Sequence, residues 1–473
     1  MTNFAKSLEN YINKSSLTEN QLAKISGFNR SYIALIKNGQ RIPADMEKVR
    51  KMFDALNLSP HEHDALWKEY LKARYGEGRY ELQRQMVNFI ESFGHLSEIS
   101  MMSKYQHEIP DIKCVSNRMD LEYMVKAVVE NEALKENGNL KIIAQSDFDF
   151  IFGLLPCVYR NSGSLTIDHI VCLEGGITQE EQLYNLKFFQ KMIPVLLSEK
   201  ELRYHIYYYY DKVSSHFASS TLMLYLIIAS DFVINISVDL NCALISKDSK
   251  VIHLYNHLYD VRKRECRSMI QSIHENAEYI RFCREKPEVG GEAVYSIGSQ
   301  PCFGLFDVES MLPKYIKNHN TQSAYEFRQL IRANKQFAAS QKVSAVSYFS
   351  KKGLEKLMKD GIVEEVPREL YTALDMEDRR ELIRMLIDAI REGWYTAHLM
   401  NEACIRYPQN LVITTKEMTS ANIFYLPEKN ENRFVLREQS LSRMIYEFLA
   451  GFQKSTYVFN QDETLQYLEN LIR

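Results

Sequence analysis

None of the eight cysteines stands in a C-x-x-C pair, and no cysteine or histidine cluster has the spacing of a zinc site, which argues against a structural metal. Scattered at 114, 157, 172, 242, 266, 283, 302 and 404, they read as reduced thiols of a cytoplasmic protein. Catalytic signatures are missing too. There is no G-x-x-x-x-G-K-[ST] for phosphate, no H-E-x-x-H for zinc and no G-x-S-x-G for a nucleophilic serine, so the expectation is a protein that is not an enzyme and needs no cofactor. Long apolar runs are also lacking. The stretch that tests this, Val213 to Ser230, carries no formal charge but holds five serines, a threonine and a histidine, and therefore reads as a buried helix or strand pair, with no membrane contact expected. The first residues, MTNFAKSLENYINK, have charges inside an amphipathic pattern where a signal peptide would have an apolar core, so nothing in them directs export.

What is present is a chain of 473 residues, long enough for about three domains at roughly 150 residues each, with the 45% apolar content of ordinary packed cores. Charge is unevenly divided. Residues 1–75 carry 12 Lys+Arg against 8 Asp+Glu, a net of +4, and the remainder carries 46 against 53, a net of −7. A basic head on an acidic body suits a protein that touches nucleic acid at one end only.

The head is legible residue by residue. Phe4, Leu8 and Ile12 recur every four positions and predict a first helix ending near Lys14. Thr18 followed by Gln21 is a capping box, so a second helix is expected over Glu19 to Ile25, and Gly27 supplies the sharp turn after it. Asn29 is a good N-cap for a third helix to about Asn38, with Ile33 and Ile36 inward and Gly39 closing it. Arg30, Ser31, Tyr32, Ala34, Leu35 and Asn38 then lie on the other side. Met46 to Leu56 predicts a fourth helix. Ser59-Pro60-His61-Glu62 combines a capping box with proline at the first helical position and predicts a fifth, with Leu66 and Tyr70 inward.

The run Thr18-Glu19-Asn20-Gln21-Leu22-Ala23, then Ser26-Gly27, Arg30-Ser31-Tyr32-Ile33 and Ile36-Lys37-Asn38-Gly39, with Arg41 and Pro43 after it, resembles the xenobiotic-response-element (XRE) or phage-repressor (Cro/C1-type) family of five-helix DNA-binding domains. The resemblance covers about 70 residues. It implies a lambda-repressor-like helix-turn-helix fold whose third helix enters the major groove while the second crosses the backbone. It places Thr18, Gln21, Asn29, Arg30, Ser31, Tyr32, Leu35, Lys37, Asn38 and Arg41 at the DNA interface. Arg30 would read guanine, Ser31 would bond a base or phosphate, Leu35 would meet a thymine methyl, and Lys37, Asn38, Gln40 and Arg41 would face phosphate. Two positions depart from the family pattern: Glu19 stands where glutamine is common, and Leu35 where a polar residue is common.

Beyond the head, Tyr75 to Arg79 reads as a hinge and 76–110 as a helical connector. An α/β domain is expected over 111–285, with strands at 141–144, 165–172, 204–210 and 232–238 and helices at 121–137 and 178–198. Proline and three glycines in Lys286 to Gly298 suggest a boundary, with a second α/β or α+β domain over 286–473. There, 311–334, 352–359, 376–392, 438–451 and 462–471 read as helices, and 343–349, 411–415 and 421–426 as strands. Phe232 to Ser237, Ala243 to Ile245 and Val251-Ile252 leading into a helix repeat the order of Leu411 to Thr415, Ala421 to Leu426 and Phe434 to Leu436 leading into another. Duplication and coincidence both account for that, strand-strand-helix being a common arrangement.

Three lesser features complete the reading. His253 and His257 share a helix face but lack a third ligand, His61-Glu62-His63 reads as structural, and Asp147 and Asp149 follow a strand as ligand-site residues can. The tyrosine run Tyr207 to Tyr210 suits sheet packing, with a ligand pocket as the alternative. The sequence thus describes a multidomain α plus α/β protein: a sequence-specific regulator binding double-stranded DNA as a homodimer, with a C-terminal region that senses a small-molecule or peptide effector or mediates assembly. Two alternatives are a helix-turn-helix-tethered enzyme and an interaction module that has lost DNA.

Overall fold

The computed structural model describes residues 2–94, 106–161, 164–198, 203–213, 215, 223–284, 293–317, 321–340, 344–427 and 431–473. The chain divides into two compact units, Met1–Val87 and Asn88–Arg473.

The first unit is helical: α1 (Asn3–Lys14), α2 (Glu19–Ser26), α3 (Arg30–Lys37), α4 (Met46–Ala55) and α5 (Pro60–Tyr75), then α6 (Glu77–Ser92), within which the division between units falls. Each start is fixed locally. Thr2, Thr18, Asn29, Asp45 and Ser59 turn a side-chain oxygen onto a backbone N–H two or three residues into the helix they open. Phe4, Leu8, Leu22, Ile33, Ile36, Met52, Phe53, Leu66 and Tyr70 form the core, none more than 1% exposed. Phe53 meets the Trp67 ring edge-on at 4.9 Å, and the Tyr70 hydroxyl donates to the Pro43 carbonyl at 2.9 Å. The expected hinge contracts to one residue. Gly76 caps α5 with φ +87°, and Gly78-Arg79 already belong to α6. Of the expected connector, residues 95–105 lie outside the described residues.

The second unit holds two mixed sheets. In chain order its elements are β1 (Ile112–Val115), α7 (Arg118–Ala133), β2 (Asn139–Ile143), α8 (Asp149–Asn161), β3 (Thr166–Leu173), α9 (Gln179–Leu196), β4 (Tyr204–Tyr210), β5 (Met223–Ile228), β6 (Val233–Ser237), β7 (Ala243–Ser246), α10 (Ser249–Arg264) and β8 (Arg267–Ser268). There follow β9 (Ile270–Ser272), α11 (Asn276–Arg284), β10 (Val294–Gly298), a 3-10 turn (Leu312–Tyr315), α12 (Gln322–Ser340), β11 (Ala345–Phe349), α13 (Lys351–Asp360), α14 (Met376–Arg391), β12 (Tyr395–Leu399), β13 (Leu411–Glu417), β14 (Ser420–Tyr425), β15 (Asn432–Leu436), α15 (Gln439–Phe452) and α16 (Gln461–Leu471).

The first sheet has the order β1-β7-β6-β5-β2-β3-β4-β8, and the second, read from its other edge, β9-β15-β14-β13-β10-β11-β12. In both, three parallel strands (β2-β3-β4; β10-β11-β12) are joined through helices, as parallel pairing requires, and an antiparallel meander returns from the first of them. A helix with an acidic N-cap, Asp248 or Glu438, closes each meander. Even the last strand has its counterpart, since β8 runs antiparallel beside β4 and Val458 forms an antiparallel bridge with Met400 beside β12. The same path is therefore traced twice.

This topology corrects the reading of the repeat by one strand. β6 corresponds to β14 and β7 to β15, whereas the sequence pairing matched β6 with Leu411 to Thr415, which is β13 and corresponds to β5. β5 was hidden in the serine-rich run, of which 214 and 216–222 lie outside the described residues, and Val251-Ile252 is already the first turn of α10. The second sheet also starts earlier than 286. It takes β9 and α11 from before that point, and Val294–Gly298, read as linker, is the strand at which parallel and antiparallel halves meet; residues 286–292 lie outside the described residues. The expected helix 311–334 is broken into a 3-10 turn, an isolated bridge at Ile316 and the start of α12, with 318–320 outside the described residues.

One extended segment joins the sheets. Met269, fully buried between β8 and β9, donates its N–H to the Ile206 carbonyl of the first sheet at 2.9 Å and accepts the Arg437 N–H at the end of the second at 2.7 Å. Nearby, Asn185 Nδ2 of α9 donates to Ser440 Oγ of α15 at 2.8 Å, and the Tyr210 hydroxyl donates to the buried Glu438 carboxylate.

Candidate nucleic-acid interface

α2 and α3 are set by two reciprocal pieces of local chemistry. Thr18 N–H donates to Gln21 Oε1 at 2.9 Å while Gln21 N–H donates to Thr18 Oγ1 at 3.3 Å, which satisfies two otherwise free helix-start groups. α2 ends at Gly27, whose φ of +75° is the left-handed conformation that a side chain would disfavour. The chain then reverses into α3, where Asn29 Oδ1 accepts the Tyr32 N–H at 2.7 Å and the Ser31 hydroxyl at 3.0 Å.

Ile33 and Ile36 are fully buried, so the opposite flank of α3 faces outward. Arg30, Ser31 and Asn38 are exposed on it, with Tyr32, Ala34, Leu35 and Lys37 half-buried; Gln40 and Arg41 are exposed just beyond the helix. Thr18 and Gln21 are exposed at the head of α2. The expected residues thus fall on one helix flank and on the end of its neighbour.

The departure at Glu19 has a partner the sequence did not disclose. Lys37 Nζ donates to Glu19 Oε1 at 2.7 Å, and Arg30 Nε lies 4.0 Å from Glu19 Oε2. The hydrogen bond from Lys37 to Glu19 is the main cause of a Lys37 pKa above the usual lysine value. Glu19 is therefore a neutralised tie between the start of α2 and the end of α3, and Lys37 is engaged by it. Eighteen residues separate the two; no helical spacing rule links them, and only the packing of α2 on α3 brings them together.

The lesser features resolve into structure. Glu62 accepts the Ser59 N–H and hydroxyl at 3.1 and 2.8 Å, and His63 Nε2 accepts the Trp67 indole N–H at 3.3 Å. His253 and His257 are exposed on α10, and among the described residues no group of three His, Cys, Asp or Glu could hold a metal ion. Asp147 accepts the Tyr225 hydroxyl, and Asp149 pairs with Lys191. In the tyrosine run, Tyr204 and Tyr208 are buried on one face of β4. Tyr207 and Tyr209 lie on the other beneath cations of α10, Lys263 4.3 Å and Arg262 3.9 Å from the respective ring centroids. Sequence reasoning passed over His169. It is fully buried, its Nε2 donates to the Ala144 carbonyl at 3.0 Å and its Nδ1 accepts the Tyr204 hydroxyl at 2.7 Å, and burial depresses its pKa to about 4.

Among the described residues, no helix is long and apolar enough to cross a membrane. No protein-family model matches the chain, and no curated protein matches it. Among solved structures, similarity is found to TrmBL2, an archaeal chromatin protein with a novel mode of DNA binding, at 12% identity over 56% of this chain and 94% of that one, with a TM-score of 0.23. Phosphatidylserine synthase from Haemophilus influenzae Rd KW20 aligns at 9% identity over 83% of this chain and 96% of that one, with a TM-score of 0.25. Likenesses this slight carry no argument about fold or function, which rest on the residues themselves.

Proposed function

We propose that residues 1–75 are a helix-turn-helix domain of the XRE or phage-repressor type and that the protein is a cytoplasmic transcriptional regulator binding double-stranded DNA. The observation that carries this reading is the outward flank of α3. Ile33 and Ile36 anchor the helix, Asn29 and Gly27 set its start, and Arg30, Ser31 and Asn38 stand exposed along it. In this reading α3 lies in the major groove with Arg30 bidentate on guanine O6 and N7, Ser31 and Leu35 beside it, and Thr18, Gln21, Asn38 and Arg41 on phosphates. Binding is as a homodimer, so that two heads meet adjacent grooves. Supporting this, α10 exposes Leu254, Leu258 and Val261 at alternating spacings of four and three, the pattern of a helix-pairing seam. The second unit is the assembly and sensing part.

The experiment is selection of bound sequences from a random duplex pool by the full chain, followed by titration of the recovered site with Arg30→Ala and Ser31→Ala. A palindromic site is expected, with Arg30→Ala costing about 1–3 kcal/mol and relaxing preference at one base pair. Unchanged affinity and preference in both variants, or no enrichment at low salt, overturns the proposal.

A further inference from the structure

The second repeat contains a cavity of about 350 Å³ between α11, α12 and one face of its sheet, walled by Phe282, Leu330, Ile331, Phe424 and Val435 and by two amides, Asn334 and Asn422, with Lys416, Glu417 and Arg437 at its exposed rim. Asn334 is out of place. On α12, Ala324, Phe327 and Ile331 form the buried stripe expected of a helix on a sheet, and Asn334 is the next position on it, only 4% exposed. Its Oδ1 is buried without a hydrogen-bond partner. A leucine would continue the stripe and fill space, whereas an unmet buried acceptor is a standing penalty.

We infer that this cavity binds a compact, uncharged, mainly apolar small molecule that carries one O–H or N–H donor for Asn334 Oδ1. Size sets the scale. An engineered apolar cavity of about 150 Å³ holds benzene, and ligand pockets begin at about 300 Å³, so the occupant has roughly the bulk of two fused rings. The apolar walls supply affinity, and Asn334 Oδ1, the buried lining acceptor that has no partner among the described residues, supplies selectivity, because a ligand without a donor leaves it unpaired. The site belongs to the second unit and stands whether or not the first unit binds DNA.

Calorimetry of the full chain with 2-naphthol and with its methyl ether, 2-methoxynaphthalene, tests this. The two probes share shape and differ in the donor. Saturable one-to-one binding of 2-naphthol is expected, at least tenfold tighter than the ether. Asn334→Leu should bring the two within about threefold of each other, and Leu330→Trp, which fills the space, should abolish both. Failure of 2-naphthol to saturate, equal affinity for the two probes in the unaltered chain, or a preference that survives Asn334→Leu each overturns the inference. Should either variant fail to fold, the comparison in the unaltered chain alone decides.

Discussion

Glu19 and His169 show what single side chains contribute when their surroundings are known. Under the proposed DNA-binding reading, a carboxylate at the start of α2 would repel phosphate if it stood alone, but Lys37 at 2.7 Å pairs with it and is itself engaged. Glu19→Gln should therefore release Lys37 and strengthen binding to a non-specific duplex by about three- to tenfold, with the slope of log affinity against log salt steeper by about one. Salt-titrated anisotropy checks this, and an unchanged slope would mean that Lys37 does not reach phosphate. His169 governs stability in acid. With a folded pKa of about 4 against about 6.5 unfolded, the imidazole takes up its proton only in the unfolded chain between those values. Its contribution is whole above pH 6.5 and is lost progressively as pH falls to 4, on the order of 3 kcal/mol. Urea midpoints of the second unit measured from pH 7 to pH 4.5 should show the decline, and His169→Phe should flatten it.

Helices whose ends are written in neighbouring residues were the elements most legible beforehand. The boundaries of α1 to α5 follow from capping oxygens and apolar spacings that need no tertiary information. Asn29→Ala should accordingly cost the first unit about 1 kcal/mol and Ile33→Ala about 2–5 kcal/mol, both read from thermal or urea unfolding of that unit. Strands fared differently. Tyr204–Tyr210 is legible to the residue because its composition is unmistakable, yet Val294–Gly298 reads as linker and Tyr395–Leu399 carries no local signal of a strand. What makes β10 a strand is pairing with β11 on one side and β13 on the other, partners about 50 and 115 residues away along the chain, and no local pattern reports them. The outward residues of α3 could be named from periodicity, but the bond between Glu19 and Lys37 and the orphaned Asn334 oxygen depend on which faces meet.

At the scale of the whole molecule, the second unit is a single path laid down twice, and its repeats meet where Gly176 approaches Ser440. Gly176 has φ +71°, and a Cβ there would come within 2.3 Å of the Ser440 Cβ, so Gly176→Ala combines backbone strain with overpacking. A loss of about 2–4 kcal/mol is expected in the unfolding of this unit, along with separation of one cooperative transition into two if the repeats are held together chiefly at this seam.

Met269 binds neighbours on both sides, and neither repeat can be excised cleanly. A fragment ending at 266 would bare the length of β4, seven residues of which five are tyrosine, and one starting at 273 would bare β15. Open borders of that kind invite other chains to dock. Either half made alone should come out of the cell as aggregate, whereas the two made together should find each other and stay in solution. Two sheets of one topology thus share a stretch of chain that neither can give up.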